Sequence, residues 1–335
     1  MCALLLLIVG ISFATKQAPS VPILLILLFL AAGAGGAVTG PSGSAILGWF
    51  DTRRHGTLVS LRVAAVPLGG AIGTAAYSVL LSRFGIAATF IVVGLSCAAV
   101  GVLVAVYVYD PPIAARAVTL RSGARALRRL DVWRVASSGF LLDVTQFLVL
   151  TFSATALTRL FGLPLVLGLI AVAAMQIIGA LLRVLTGVGT DLLPWLNRPT
   201  VVRVLCATQV ACLLPFVFGT SLPEYVGVTL MIVSGVAGCA WQGAHFAQIT
   251  SLVDRSEAGS ALGLNNAATS FGAFVAQIAA GLFATLLGWP TAILVLGALP
   301  ALLALMIFPP GGGELRNRSS RRQNRMSGVT ACVPE

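Results

Sequence analysis

Long apolar runs, broken by short polar, Pro- or Gly-containing stretches, make up most of the chain. Ten runs stand out, near 1–15, 21–47, 57–82, 86–108, 132–158, 164–187, 200–218, 225–250, 258–287 and 289–308. Most reach about 20 residues, the length that crosses a hydrocarbon layer as an α-helix. Backbone in that layer must satisfy its own hydrogen bonds, so each run is expected to be a helix. The first run is short and no Lys or Arg precedes it, which argues for a span rather than a secretory signal.

The pattern repeats. Shifting the chain by 203 positions lays Ile46–Gly94 on Ile249–Gly297 without a gap. Asp51 meets Asp254, Gly56 meets Gly259, Leu61 meets Leu264, Gly69 meets Gly272, Gly85 meets Gly288 and Gly94 meets Gly297. Polar breaks fall on polar breaks, which an Ala- and Gly-rich composition alone does not produce. Both copies run the same way through the layer, so a pseudo-two-fold axis along the membrane normal is expected. The second copy is preceded by two further spans, 132–158 and 164–187, whose counterparts under the same shift would lie before Met1. The first half is therefore expected to lack two helices. The organisation reads as an incomplete N-terminal helical half over 1–108, a basic linker over 109–131, a six-helix half over 132–308 and a basic tail over 309–335 expected to be disordered.

Composition sharpens this reading. Of 335 residues, 58% are hydrophobic and 9% charged, and the mean hydropathy is +1.00. A soluble domain carries roughly 25% charge, so a soluble enzyme and a disordered chain are both excluded. The net charge of +11 does not indicate nucleic acid, because more than half of the arginines crowd two stretches between or after spans. Arg116, Arg121, Arg125, Arg128 and Arg129 crowd the linker, with Arg134 just past it, and Arg316, Arg318, Arg321, Arg322 and Arg325 the tail. Basic segments mark the cytosolic face. With linker and tail inside, all of the 21 Lys and Arg except Lys16, Arg83 and Arg159 fall at or near the inner face. This places the chain as a multi-pass protein of the cell membrane. The six cysteines show no metal-ligand spacing. There is no GxxxxGK[ST] loop, so no cofactor and no ATP-driven engine is expected.

Two parallel halves joined by a basic linker resemble the major facilitator superfamily of bacterial transporters. Gly187-Val-Gly-Thr-Asp191, followed by Arg198, is similar to the Gly-x-x-x-Asp-basic motif between the second and third helices of each family half. Leu192 stands where a basic residue is usual. Gly48-Trp49-Phe50 through Gly56, then Val66-Pro67-Leu68-Gly69-Gly70, is similar to the fourth-to-fifth helix region. The resemblance covers about 1–308 and makes the ten spans family helices three to twelve. It implies an all-α, major-facilitator-like bundle and a secondary transporter of a small organic solute, with protons as a candidate coupling ion. It also implies that the Gly187–Asp191 motif pins neighbouring helices. The order Pro67-Leu68-Gly69-Gly70, and Phe29 four residues before Gly33 where drug antiporters carry Arg, do not indicate multidrug antiport. A truncated, inactive remnant and a membrane-embedded lipid-modifying enzyme are the competing readings; the enzyme leaves the repeat unexplained. The sequence does not fix the oligomeric state.

Ionisable residues inside a bilayer are costly and face a cavity or a partner. Asp143 lies 12 residues past Asp131, or about 18 Å into its helix. It is the leading candidate for a proton or cation carrier, or for binding a cationic solute, with Gln146 on the same face. His245, about 14 Å along the helix from Asp254, is flanked by Trp241, Gln242 and Gln248, a polar and aromatic face suited to ligand contact. Helix-to-helix hydrogen bonding competes with both assignments. Arg62 is a candidate for attracting an anionic solute, though snorkelling to the cytosolic surface is favoured for it.

Overall fold

In a computed structural model of the chain, residues 1–17, 19–36, 38, 42–43, 45–46, 49–50, 55–109, 125–193, 195–254 and 257–309 are described. The Asp51 end of the first repeat hairpin, most of the 109–131 linker, the tail from 310 and Cys332 lie outside them. The described elements are helical: α1 (Cys2–Ala14), α2 (Val21–Gly36), α3 (His55–Tyr107), α4 (Leu130–Phe161), α5 (Leu165–Leu192), α6 (Arg198–Leu213), α7 (Glu224–Leu252), α8 (Ala258–Leu287) and α9 (Trp289–Ile307). Among the described residues, eight segments are long and apolar enough to cross a membrane: Gly56–Gly73 and Val79–Tyr107 within α3, α4, α5, Arg198–Gly219, α7, α8 and α9. Among the described residues, the first two of the ten expected spans hold shorter apolar helices, of 13 and 16 residues.

Runs 57–82 and 86–108 are joined in α3, which breaks at Gly85 (φ 76°, ψ 177°). Its repeat partner Gly288 breaks the chain between α8 and α9 in nearly the same conformation (φ 83°, ψ 163°). That region of backbone space is essentially open to glycine alone. The shift read from the sequence therefore carries one rare turn onto another. Elsewhere α6 runs on as a 3₁₀ segment, Leu214–Ser221, and a π-helical stretch, Leu294–Ala298, interrupts α9.

The chain forms two compact units. The first comprises Met1–Phe50 and Leu68–Ala117, the second Asp51–Pro67 and Val118–Glu335. In the first, α1 meets the second part of α3 through glycines: a Cβ on Gly10 would lie 2.7 Å from Ile91, and one on Gly94 2.8 Å from Leu7. In the second, α4 and α7 are the most enclosed helices. The α4 backbone approaches α8 so closely that a Cβ on Gly272 would strike the Phe140 carbonyl. Val149, Leu157, Met175, Leu213, Phe216, Met231 and Ile293 form an apolar core among α4, α5, α6, α7 and α9.

Helix α5 shows how sequence sets these faces. Gly168, Ala171, Met175, Gly179, Arg183 and Gly187 are buried along one side, whereas Ile170, Ile177, Leu181 and Leu185 are exposed on the other. Spacings of three and four put the first set on one stripe. Its glycines admit neighbours: a Cβ on Gly168 would meet the Ala154 backbone, one on Gly179 Cys239, and one on Gly187 Ser60.

Candidate functional site

Polar side chains form a seam between α4 and α7. Gln242 Nε2 donates to Asp143 Oδ1 at 3.0 Å, and Trp241 Nε1 donates to Gln146 Oε1 at 3.0 Å. All four residues are buried. The four candidates thus meet as two cross-helix pairs. His245 lies further along the seam and is fully buried. Its Nε2 is 3.0 Å from the Val135 carbonyl and 3.2 Å from Ser138 Oγ. A carbonyl only accepts, so Nε2 carries a hydrogen, and in the neutral ring Nδ1 is left as an acceptor. Trp241 packs edge-on against the imidazole with centroids 4.8 Å apart. Gln248 is buried, and its Oε1 has no partner among the described residues.

The Gly187–Asp191 motif occupies the last turns of α5 rather than a loop. Asp191 Oδ1 accepts from the Gly56 amide at 3.1 Å; its Oδ2 accepts from the Thr57 amide at 2.6 Å and the Thr57 hydroxyl at 2.9 Å. These amides belong to the first turn of α3, which has no intrahelical acceptor for them. A carboxylate there satisfies the donors and complements the positive end of the helix dipole. Arg198, at the start of α6, reaches Asp191 at 3.4 Å. The motif thus joins the ends of α3, α5 and α6. Outside the spans, Arg129 donates to Asp131 at 2.6 Å, and this bond raises the guanidinium's pKa above its ordinary value.

Arg183 was not among the candidates drawn from the sequence. Counting charges by span ends assigned it to the inner boundary, yet it is completely buried. Its Nε donates to the Cys239 carbonyl on α7, and its Nη1 donates to the Val63 carbonyl on α3 at 2.7 Å. It also lies within Coulombic reach of Asp143. The signal was present as Gly179-x-x-x-Arg183-x-x-x-Gly187, which puts the arginine on the buried glycine stripe. Arg62 is half-buried on α3, one residue before the carbonyl that Arg183 holds. Among the described residues, no group of three or more His, Cys, Asp or Glu could hold a metal ion.

The model of the Major Facilitator Superfamily matches residues 1–245 and 225–331. Two uncharacterized MFS-type transporters of Mycobacterium tuberculosis, from strains CDC 1551 / Oshkosh and H37Rv, are 27% and 26% identical over 313 residues. The match spans 92% of this chain and 70% of each relative. The fold is similar to the proton:xylose symporter XylE bound to 6-bromo-6-deoxy-D-glucose, with a TM-score of 0.73 and 15% identity over 92% of this chain and 79% of that one. The Escherichia coli fucose:proton symporter FucP gives a TM-score of 0.68 at 15% identity over 92% and 80%. A bacterial homologue of the iron transporter ferroportin gives 0.61 at 16% identity over 92% and 80%. These matches are to transporters and set aside the lipid-modifying enzyme. By the extent of the family match, the chain belongs to the major facilitator superfamily.

Proposed function

We propose that the protein is a secondary transporter of a small organic solute in the cell membrane, working by alternating access, with Asp143 as the group that takes up and releases the coupling proton. The observation that carries this is the Asp143–Gln242 pair, a buried carboxylate held by a neutral amide rather than by an ion pair. A carboxylate so held can change protonation without breaking a salt bridge. Two similar folds, XylE and FucP, are described as proton symporters, which favours proton coupling over passive carriage. Trp241, Gln146 and His245 continue the seam and supply contacts for a solute. The linker and tail are assigned to the cytosol on their arginines. Asp191 and Arg183 then tie the first part of α3 to α5 and α7 near the inner face, contacts of the kind alternating access makes and breaks.

The test is a solute screen in proteoliposomes loaded with a pH-sensitive dye. Addition of a transported solute is expected to move protons without an imposed gradient. Uptake of a solute that neither moves protons nor responds to an imposed proton gradient would contradict the coupling.

A further inference from the structure

Side chains of α7 and α8 meet at one buried glycine of α4. A Cβ on Gly139 would lie 2.9 Å from His245 Cε1, 3.0 Å from Thr269 Cγ2 and 3.3 Å from Asn265 Oδ1. The imidazole and the carboxamide therefore flank the same spot, with Cε1 and Oδ1 no further apart than the sum of their two distances to it. His245 and Asn265 are completely buried. Cε1 is bonded to both ring nitrogens. Nε2 is bonded to the Val135 carbonyl, and Nδ1 has no partner among the described residues. Asn265 Nδ2 and Oδ1 have none there either. Buried polar groups are nearly always bonded, so three such atoms in one corner call for an explanation.

Their chemistry is complementary. An unprotonated Nδ1 only accepts a hydrogen bond, and a protonated one only donates. A carboxamide does both, from two ends that a half-turn exchanges. Thr269, one turn further along α8, does not serve, because its hydroxyl donates to the Asn266 carbonyl at 3.0 Å and its methyl group is the part that meets Gly139. No charge competes for the ring. Its neighbours are Val135, Ser138 and Gly139 on α4, Trp241 and Phe246 on α7, and Phe308 just past α9, none of them ionisable. The acids of this half of the helices are committed elsewhere: Asp143 to Gln242, Asp131 to Arg129 and Glu257 to Arg125. Arg134, on the same stretch of α4, is exposed.

We propose that Asn265 is the positioning residue that lets His245 take up a proton in place: its carboxamide turns Nδ2 toward an unprotonated Nδ1 and Oδ1 toward a protonated one. The proton passes from the aqueous phase to Nδ1 when the seam opens. The ring keeps its Nε2 bond to Val135 in both forms, so α4, α7 and α8 stay joined through it. The seam then holds a second proton acceptor besides Asp143. This deepens the transport reading, and rests on it for where the proton goes next.

The test uses the full chain with isotope-labelled histidine, read by nitrogen NMR. His55 and His245 are its two histidines, and His55→Gln assigns the ring signals. In alkaline buffer His245 Nδ1 is expected to show the signal of a hydrogen-bonded acceptor, and in acid both ring nitrogens are expected to be protonated in the folded protein. Asn265→Leu, close in size but without polar ends, is expected to give an unbonded Nδ1 and about tenfold weaker proton uptake by the ring, one unit on the pH axis. Its thermal midpoint is expected to fall more steeply in acid than that of the unaltered chain, because the imidazolium then lacks an acceptor. In the His245→Gln background the pH-dependent part of that change is expected to vanish. An unbonded Nδ1 in the unaltered chain, an Asn265→Leu effect equal at every pH, or a pH-dependent effect that persists with His245→Gln overturns the proposal. Solute-driven proton movement together with an unbonded Nδ1 sinks this role for Asn265 and leaves the transport reading standing, whereas a bonded Nδ1 without proton movement for any solute does the reverse.

Discussion

The two units use glycine for the same mechanical end and different chemical ones. In the first, Gly10 and Gly94 bring α1 against α3 and meet only apolar side chains and backbone, Ile91 and Leu7 foremost. Its buried polar side chains, among the described residues, come down to Thr89, which bonds within its own helix to the Gly85 carbonyl at 2.8 Å. In the second, Gly179, Gly187 and Gly243 bring α3, α5 and α7 together around Ser60, Cys239 and Arg183. Asp143, Arg183 and His245 are all buried there. Close packing is therefore not the sign of function. Close packing around groups that need partners is.

This contrast predicts unequal sensitivity. Arg183→Met removes two bonds to backbone carbonyls and a fully buried positive charge. Hydrogen bonds from a charged group contribute about 1.5–3 kcal/mol each, so a large drop in thermal midpoint and folded yield is expected. A melting curve unchanged from the unaltered protein would show that the arginine is not held as described. Asp191→Asn keeps the shape but gives up the charge on the α3 amides, an expected loss of about 1.5–3 kcal/mol. Asp191→Asn in the same background as Arg198→Gln separates the helix-end contact from the weaker ion pair. Gly187→Val forces Ser60 and the Gly56 carbonyl apart, and overpacking of this kind costs about 1–3 kcal/mol. Gly73→Val, with nothing within 4 Å of its Cβ position, should stay within ~0.5 kcal/mol; equal losses at both positions would erase the distinction. The smallest effect is expected in the first unit. Thr89→Val forfeits one intrahelical bond and should cost less than ~1 kcal/mol, with no effect on solute-driven proton movement.

The sequence disclosed what periodicity and charge can carry. The apolar runs marked the helices, and the shift of Gly85 onto Gly288 anticipated two matching breaks because a rare backbone turn selects glycine in both copies. Asp143 and Gln242 were each legible as polar intrusions in apolar helices, but their pairing was not. It depends on the register of α4 against α7, which no local pattern encodes. Distance to a span end says nothing of which side a residue faces; the burial of Arg183 is legible only in the stripe of small residues it shares with Gly179 and Gly187. Ser60 carried no signal: a lone serine in an apolar helix usually bonds back to its own turn, and only the three helices closing around its hydroxyl mark it.

The central claim is that the polar seam of the second unit carries the coupling and Asp143 is its proton carrier. Proteoliposomes containing the Asp143→Asn form, tested with a solute that drives proton movement in the unaltered chain, examine this most directly. Solute exchange across the membrane is expected to persist while proton movement and gradient-driven accumulation are lost. Proton movement at the unaltered rate in the Asp143→Asn form would contradict it.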